Sequence, residues 1–120
     1  MAEVTLLETI VKAIDDKKGS DIQVLDIHEQ TGIADYFVIC TGNSRPQTKA
    51  IADFVELKVE ETLGEKVLRT EGYQEGNWVL LDYSSIIVQI FQPEERAYYN
   101  LEKLWGNSPL VDISKMIEAE

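Results

Sequence analysis

An α/β fold, a mixed five-stranded sheet with helices packed on it, is the class this 120-residue chain predicts. Three observations lead there. Two segments, 2–18 and 46–63, carry apolar residues at helical spacing. The run YFVIC, Tyr36 to Cys40, is apolar on both parities, as an interior strand buried on both faces must be. Three short β-rich segments then follow at close intervals, as in an antiparallel meander.

The first helix, 2–18, gathers Val4, Leu7, Ile10, Val11 and Ile14 into one stripe. Lys17 and Lys18 fall in its last turn, where cations suit the dipole, and Gly19 is the expected C-cap. Residues 22–28 read as a strand, and Tyr36–Cys40 as the next. The segment 41–46 (TGNSRP) is a turn, with Gly42 and Asn43 suited to positive φ. Ser44 is placed to cap the helix 46–63, with Pro46 in its first turn and Gly64 at its end. Ile51, Phe54, Val55, Val59 and Leu63 form its buried stripe, while Glu56, Glu60 and Glu61 face water.

Strands are expected at 67–72, 77–83 and 86–91, joined by turns at 74–77 and 83–85. Pro93 opens a last helix, 93–105, with Glu94 and Glu95 in its first turn. Its packing stripe is Ala97, Leu101, Leu104 and Trp105, which also turns Tyr98 inward, and Gly106 stops it. Residues 1–106 thus form one domain, and 107–120 a short tail that either lacks fixed structure or packs on the domain edge.

The 22 acidic residues outnumber the 11 basic ones, for a net charge of −11. Sequence-specific binding to bare nucleic acid needs clustered Lys and Arg, and no cluster is present. The balance suits a partner with a basic surface. Cys40 is the only cysteine, so neither an internal disulfide nor a four-cysteine zinc site can form. The N-terminus lacks a secretory pattern, and no apolar run approaches the ~20 residues of a membrane helix. A soluble, cytoplasmic protein is expected.

Catalytic signals are weak. His28 is the only histidine, and Cys40 lies in a buried strand where thiols are inert, so a Cys40–His28 pair is disfavoured. No phosphate-loop pattern occurs. The joint TGNS before a helix resembles the turn of a nucleotidyltransferase, which also needs two closely spaced carboxylates to hold Mg²⁺. Asp82 has no such partner, because position 84 is Ser84, and Asp21 and Asp26 are too far apart to share one ion. No cofactor, metal site or enzymatic activity is therefore expected.

Contact candidates are aromatic: Trp78, Tyr83, Tyr98, Tyr99 and Trp105 crowd the C-terminal half. Trp78, Leu80 and Asp82 share one strand face by alternation. A Trp beside an acid is unusual for a dry core and points to a partner surface.

Three blocks in order, ADYFVICTGNS with QTKAIADFVE (34–56), EGNWVLLDY with IIVQIF (75–91) and ERAYYNLEKLW (95–105), resemble the ribosomal silencing factor (Iojap-like) family over about residues 34–106. The resemblance implies a nucleotidyltransferase-like fold without the transferase site. It implies docking on the large ribosomal subunit through large-subunit ribosomal protein fourteen, steric exclusion of the small subunit, and damped translation when nutrients are scarce. It further implies a homodimer when free, and partner contacts at Trp78, Leu80, Asp82 and Tyr83. The chain departs from the family pattern at Pro46, where an Arg is common (Arg45 stands alongside), at Ser84-Ser85 in place of Gly-Asp, and at Gln89 in place of a frequent His. Competing readings are a residual nucleotidyltransferase and a homodimeric scaffold with no ribosomal role.

Overall fold

The computed structural model describes residues 2–30, 32–106 and 108–117. The elements run α1 (Ala2–Asp16), β1 (Ser20–Asp26), β2 (Tyr36–Thr41), α2 (Arg45–Leu63), β3 (Arg69–Glu71), β4 (Trp78–Asp82), β5 (Ile86–Phe91), α3 (Pro93–Tyr99), α4 (Leu101–Leu104) and α5 (Ser114–Ile117). The strand order is β1-β2-β5-β4-β3. β2 and β5 are parallel and every other neighbour is antiparallel, so the sheet is mixed and 67–91 form the expected meander.

Alternation along the strands divides the interior into two layers. On one face Val24, Val38, Cys40, Val79, Leu81, Ile86, Val88 and Ile90 meet α1 and α2. Leu7, Ile10, Val11 and Ile14 of α1, and Ile51, Val55 and Val59 of α2, complete that layer. Burying a side chain of this size contributes about 1.5–3 kcal/mol. Val4, placed on the α1 stripe by its spacing, lies outside the residues whose side chains are described. The other face is thinner: Leu25, Ile27, Phe37, Ile39, Ile87 and Phe91, covered in part by Leu101 and Trp105.

Helix α2 follows its local signals. The Ser44 side chain accepts from the Gln47 N–H, Pro46 sits in the first turn, and Gly64 at φ 70° sends its N–H to the Glu60 carbonyl. Thr48 and Ala52 join its buried face, while Phe54 and Leu63 are only half-buried. Glu56 is also half-buried and accepts from the Thr70 hydroxyl at 3.3 Å; burial raises its carboxyl above the ordinary value.

Several local expectations are corrected. Helix α1 ends at Asp16, and the left-handed residue after it is Lys18 (φ 66°), not Gly19. Gly19 serves close approach instead, since a Cβ there would lie 2.4 Å from Ile14 Cγ2. Gly42 and Asn43 do not take positive φ. A Cβ on Gly42 would lie 2.8 Å from Thr48 Cγ2, so the turn needs its smallness rather than its left-handed freedom.

The single helix expected over 93–105 breaks at Asn100 (φ 48°, ψ 59°). Asn100 caps α3 with its backbone N–H, and its side chain accepts from Lys103 N to start α4. The break changes the rotational phase, so Ala97, Tyr98 and Leu104 are exposed while Leu101 and Trp105 turn onto the sheet.

Beyond residue 107 the chain packs on the domain edge. Pro109 O accepts from Asp26 N, and Val111 N donates to Val24 O, both at 2.9 Å, which covers part of the β1 edge. Met116 and Ile117 of α5 pack against the α1–α2 layer. Residues 107 and 118–120 of the tail lie outside the described residues. Among the described residues no helix is long and apolar enough to cross a membrane.

Candidate interface on the open face of the sheet

Residues paired across antiparallel strands point the same way. Trp78 pairs with Phe91, Leu80 with Gln89, and Asp82 with Ile87. On the other side Glu71 pairs with Leu80, and Arg69 with Asp82. All of these therefore share the thin face. The short α3–α4 unit covers its β2–β5 part and reaches Trp78 through Tyr99, while Trp78, Leu80 and Asp82 all stay half-buried.

Trp78 is held on three sides. Its ring stacks on Phe91 (centroids 4.8 Å, 27° between planes) and lies 4.5 Å from Tyr99. Its Nε1 donates to Gln89 Oε1 at 3.1 Å. Gln89 is only 4% exposed, so this bond both satisfies a buried amide oxygen and fixes the indole's orientation. Tyr98 meets Tyr99 edge-on at 5.0 Å and is 82% exposed, which extends the aromatic row Phe91–Trp78–Tyr99–Tyr98 from core to solvent.

The supports are local. Arg96 Nη1 donates to Thr41 Oγ1 at 2.7 Å and ties α3 to the end of β2. Trp105 meets Phe37 edge-on at 5.3 Å and ties α4 to the sheet. The turn before Trp78 needs Gly72, because φ is +77° and a Cβ would lie 2.0 Å from the Trp78 carbonyl oxygen.

Asp82 ends β4. Its Oδ1 accepts from Ser84 N at 2.8 Å, and its Oδ2 lies 3.6 Å from Arg69 Nη2. Arg69 Nε is in turn 3.1 Å from Glu71 Oε2. Ser84 takes φ 76° in this turn. That left-handed conformation is free for a glycine and costs a serine about 1 kcal/mol.

Tyr83 does not join these three. It goes with Val79 and Leu81 into the opposite layer, where it is buried and its hydroxyl has no protein partner among the described residues. Burial, with Glu56 nearby, pushes its phenol well above the ordinary range. The structure thus brings Trp78, Leu80 and Asp82 together and separates Tyr83 from them.

The disfavoured catalytic pair is also apart. Cys40 lies near the Ser20 end of the β1–β2 ladder, and His28 follows Asp26 at the opposite end. Burial pushes the Cys40 thiol up to about 12. His28 is exposed, and its Nδ1 contacts Asp26 Oδ1, which raises its pKa by hydrogen bonding and charge. Among the described residues no group of three or more His, Cys, Asp or Glu could hold a metal.

Sequence reasoning noted Gln89 as a departure but missed its role. The signal was a lone polar residue inside IIVQIF, 86–91. Arg69 and Glu71 gave no signal, since their place beside Asp82 depends on the β3–β4 register.

Known proteins agree with this architecture. The chain is 44% identical over 117 residues to the ribosomal silencing factor of Halalkalibacterium halodurans, covering 98% of this chain and 99% of that one. It is 43% identical over 113 residues to that of Bacillus subtilis, covering 94% and 95%. A crystal structure of a Chromobacterium violaceum protein superposes with a TM-score of 0.81 at 34% identity, covering 85% of this chain and 84% of that one. The family model described as "Ribosomal silencing factor during starvation" matches residues 2–120, and the chain belongs to that family.

Proposed function

We propose that this protein is a cytoplasmic regulator that silences ribosomes by occupying space rather than by catalysis. Its open sheet face docks on the large ribosomal subunit, with large-subunit ribosomal protein fourteen as the direct partner. Two bodies cannot share one surface, so a docked copy excludes the small subunit and represses translation.

The observation that carries this reading is the indole of Trp78, stacked on Phe91 and flanked by the tilted ring of Tyr99 at the margin of the covered sheet. Rigid, half-buried aromatics make strong interface anchors because little side-chain entropy remains to be lost on binding. Leu80 adds apolar area. Asp82, within a chain of net charge −11, complements a basic ribosomal surface and sets register and encounter rate. Tyr83 supports the site from behind by packing the opposite side of β4. An interface of roughly 800 Å² per partner is enough for a stable complex. When free, the protein pairs as a homodimer, which sedimentation equilibrium measures.

Purified large subunits saturated with the protein, then mixed with small subunits on a sucrose gradient, test the proposal. The peak of joined subunits is expected to fall and the protein to co-sediment with the large subunit. Normal joining at saturating protein overturns it.

A further inference from the structure

Asp82 is proposed above to meet a basic group of the partner, yet neither of its oxygens is idle. Oδ1 is committed to the β4–β5 turn through the Ser84 N–H at 2.8 Å. Oδ2 is the oxygen left for a partner, and Arg69 Nη2 stands 3.6 Å from it. That distance is an ion pair without a hydrogen bond, and so a contact that can be exchanged.

The rest of the geometry suits exchange. The ladder sets Arg69 directly opposite Asp82, so its guanidinium returns to the same place. β3 is only three residues long and lies at the sheet margin, and the Arg69 side chain is 63% exposed against 22% for Asp82. Arg69 Nε already holds Glu71 Oε2 at 3.1 Å, so a displaced guanidinium keeps a carboxylate partner. Exposed pairs of this kind cost little to open. Asp82, by contrast, loses water when a partner covers it, and a covered carboxylate without a cation is expensive.

We infer that Arg69 is a resident competitor: it occupies in cis the place at Asp82 Oδ2 that an arginine or lysine of the docking partner takes in the complex. The inference rests on the docking reading above. Arg69 then sets the affinity from within and selects partners that present a cation able to displace it, since a surface lacking one gains nothing at Asp82.

The test titrates fluorescently labelled full-length protein with purified large ribosomal subunits. Arg69→Ala and Arg69→Gln are expected to lower Kd about two- to fivefold, the range an exposed ion pair supplies. The gain must vanish in the Asp82→Asn background, which keeps the Ser84 N–H acceptor but removes the charge. Lys66→Ala removes one positive charge from the same sheet edge, from an exposed 3.8 Å pair with Glu60 rather than from Asp82, and is expected to change Kd by less than about 1.5-fold, because an exposed ion pair that does not occupy Asp82 Oδ2 contributes little. An unchanged or weakened Kd for the Arg69 variants overturns the inference while wild-type binding keeps the docking reading. A gain that persists with Asp82→Asn, or that Lys66→Ala reproduces, reduces it to net charge and overturns it as well. Absence of wild-type binding overturns both.

Discussion

At the residue scale, the thin sheet face concentrates its chemistry in one indole. Trp78 is gripped by Phe91, Tyr99 and Gln89, so it reaches a partner already oriented. Trp78→Ala is expected to weaken binding to the isolated large-subunit partner by about 2 kcal/mol or more, as truncation of a central aromatic does. Calorimetric titration checks this, and an unchanged Kd in a folded variant removes Trp78 from the interface. Tyr83→Phe is the matching control. Because Tyr83 points into the α1–α2 layer and its hydroxyl has no protein partner among the described residues, Kd is expected to stay within about twofold, roughly 0.4 kcal/mol, and stability not to fall. A binding loss comparable to that of Trp78→Ala places Tyr83 at the interface after all.

At the element scale, the interface depends on how α2 and the turn before β4 are joined. Thr48, fully buried in the first turns of α2, donates its hydroxyl to the Gly76 carbonyl at 2.6 Å and lies 2.9 Å from the Arg45 carbonyl. Arg45 Nε adds a bond to Asn77 Oδ1 at 3.1 Å. These contacts anchor the loop that delivers Trp78 to the sheet. Thr48→Val keeps shape and volume but leaves the Gly76 carbonyl buried without that donor. It is expected to lower unfolding free energy by about 1–2 kcal/mol, measured by urea denaturation; a change below about 0.3 kcal/mol shows that the carbonyl finds another partner. Elements announced by local rules were the legible ones. Ser44, Pro46 and Gly64 marked both ends of α2, and YFVIC marked an interior strand. The helix break at Asn100 was not legible, because PEERAYYNLEKLW satisfies helical periodicity throughout while an Asn can still adopt left-handed φ.

At the scale of the whole molecule, a net charge of −11 governs approach more than fit. Association with a basic partner is expected to slow at least about fivefold between ~0.1 and ~0.5 M salt, with dissociation changing less, because screening shortens the reach of surface charge. Stopped-flow mixing checks both rates, and an association rate flat with salt argues against acidic steering. The fold's asymmetry matters at the same scale. Two full helices seal one face of the sheet, whereas only the short α3–α4 unit lies on the other, which leaves Leu80 and Asp82 at its margin.

By itself the sequence determined the α/β class, the interior strand, the α2 boundaries and the shared face of Trp78, Leu80 and Asp82, because each follows from spacing between near neighbours. Its ordered blocks also pointed to the family. Only the tertiary structure decided that β2 and β5 lie side by side and parallel, that Gln89 holds the Trp78 indole, that Tyr98 faces solvent, and that Arg69 stands against Asp82. Those facts depend on register and on backbone conformation at single residues, which nearest-neighbour patterns do not encode.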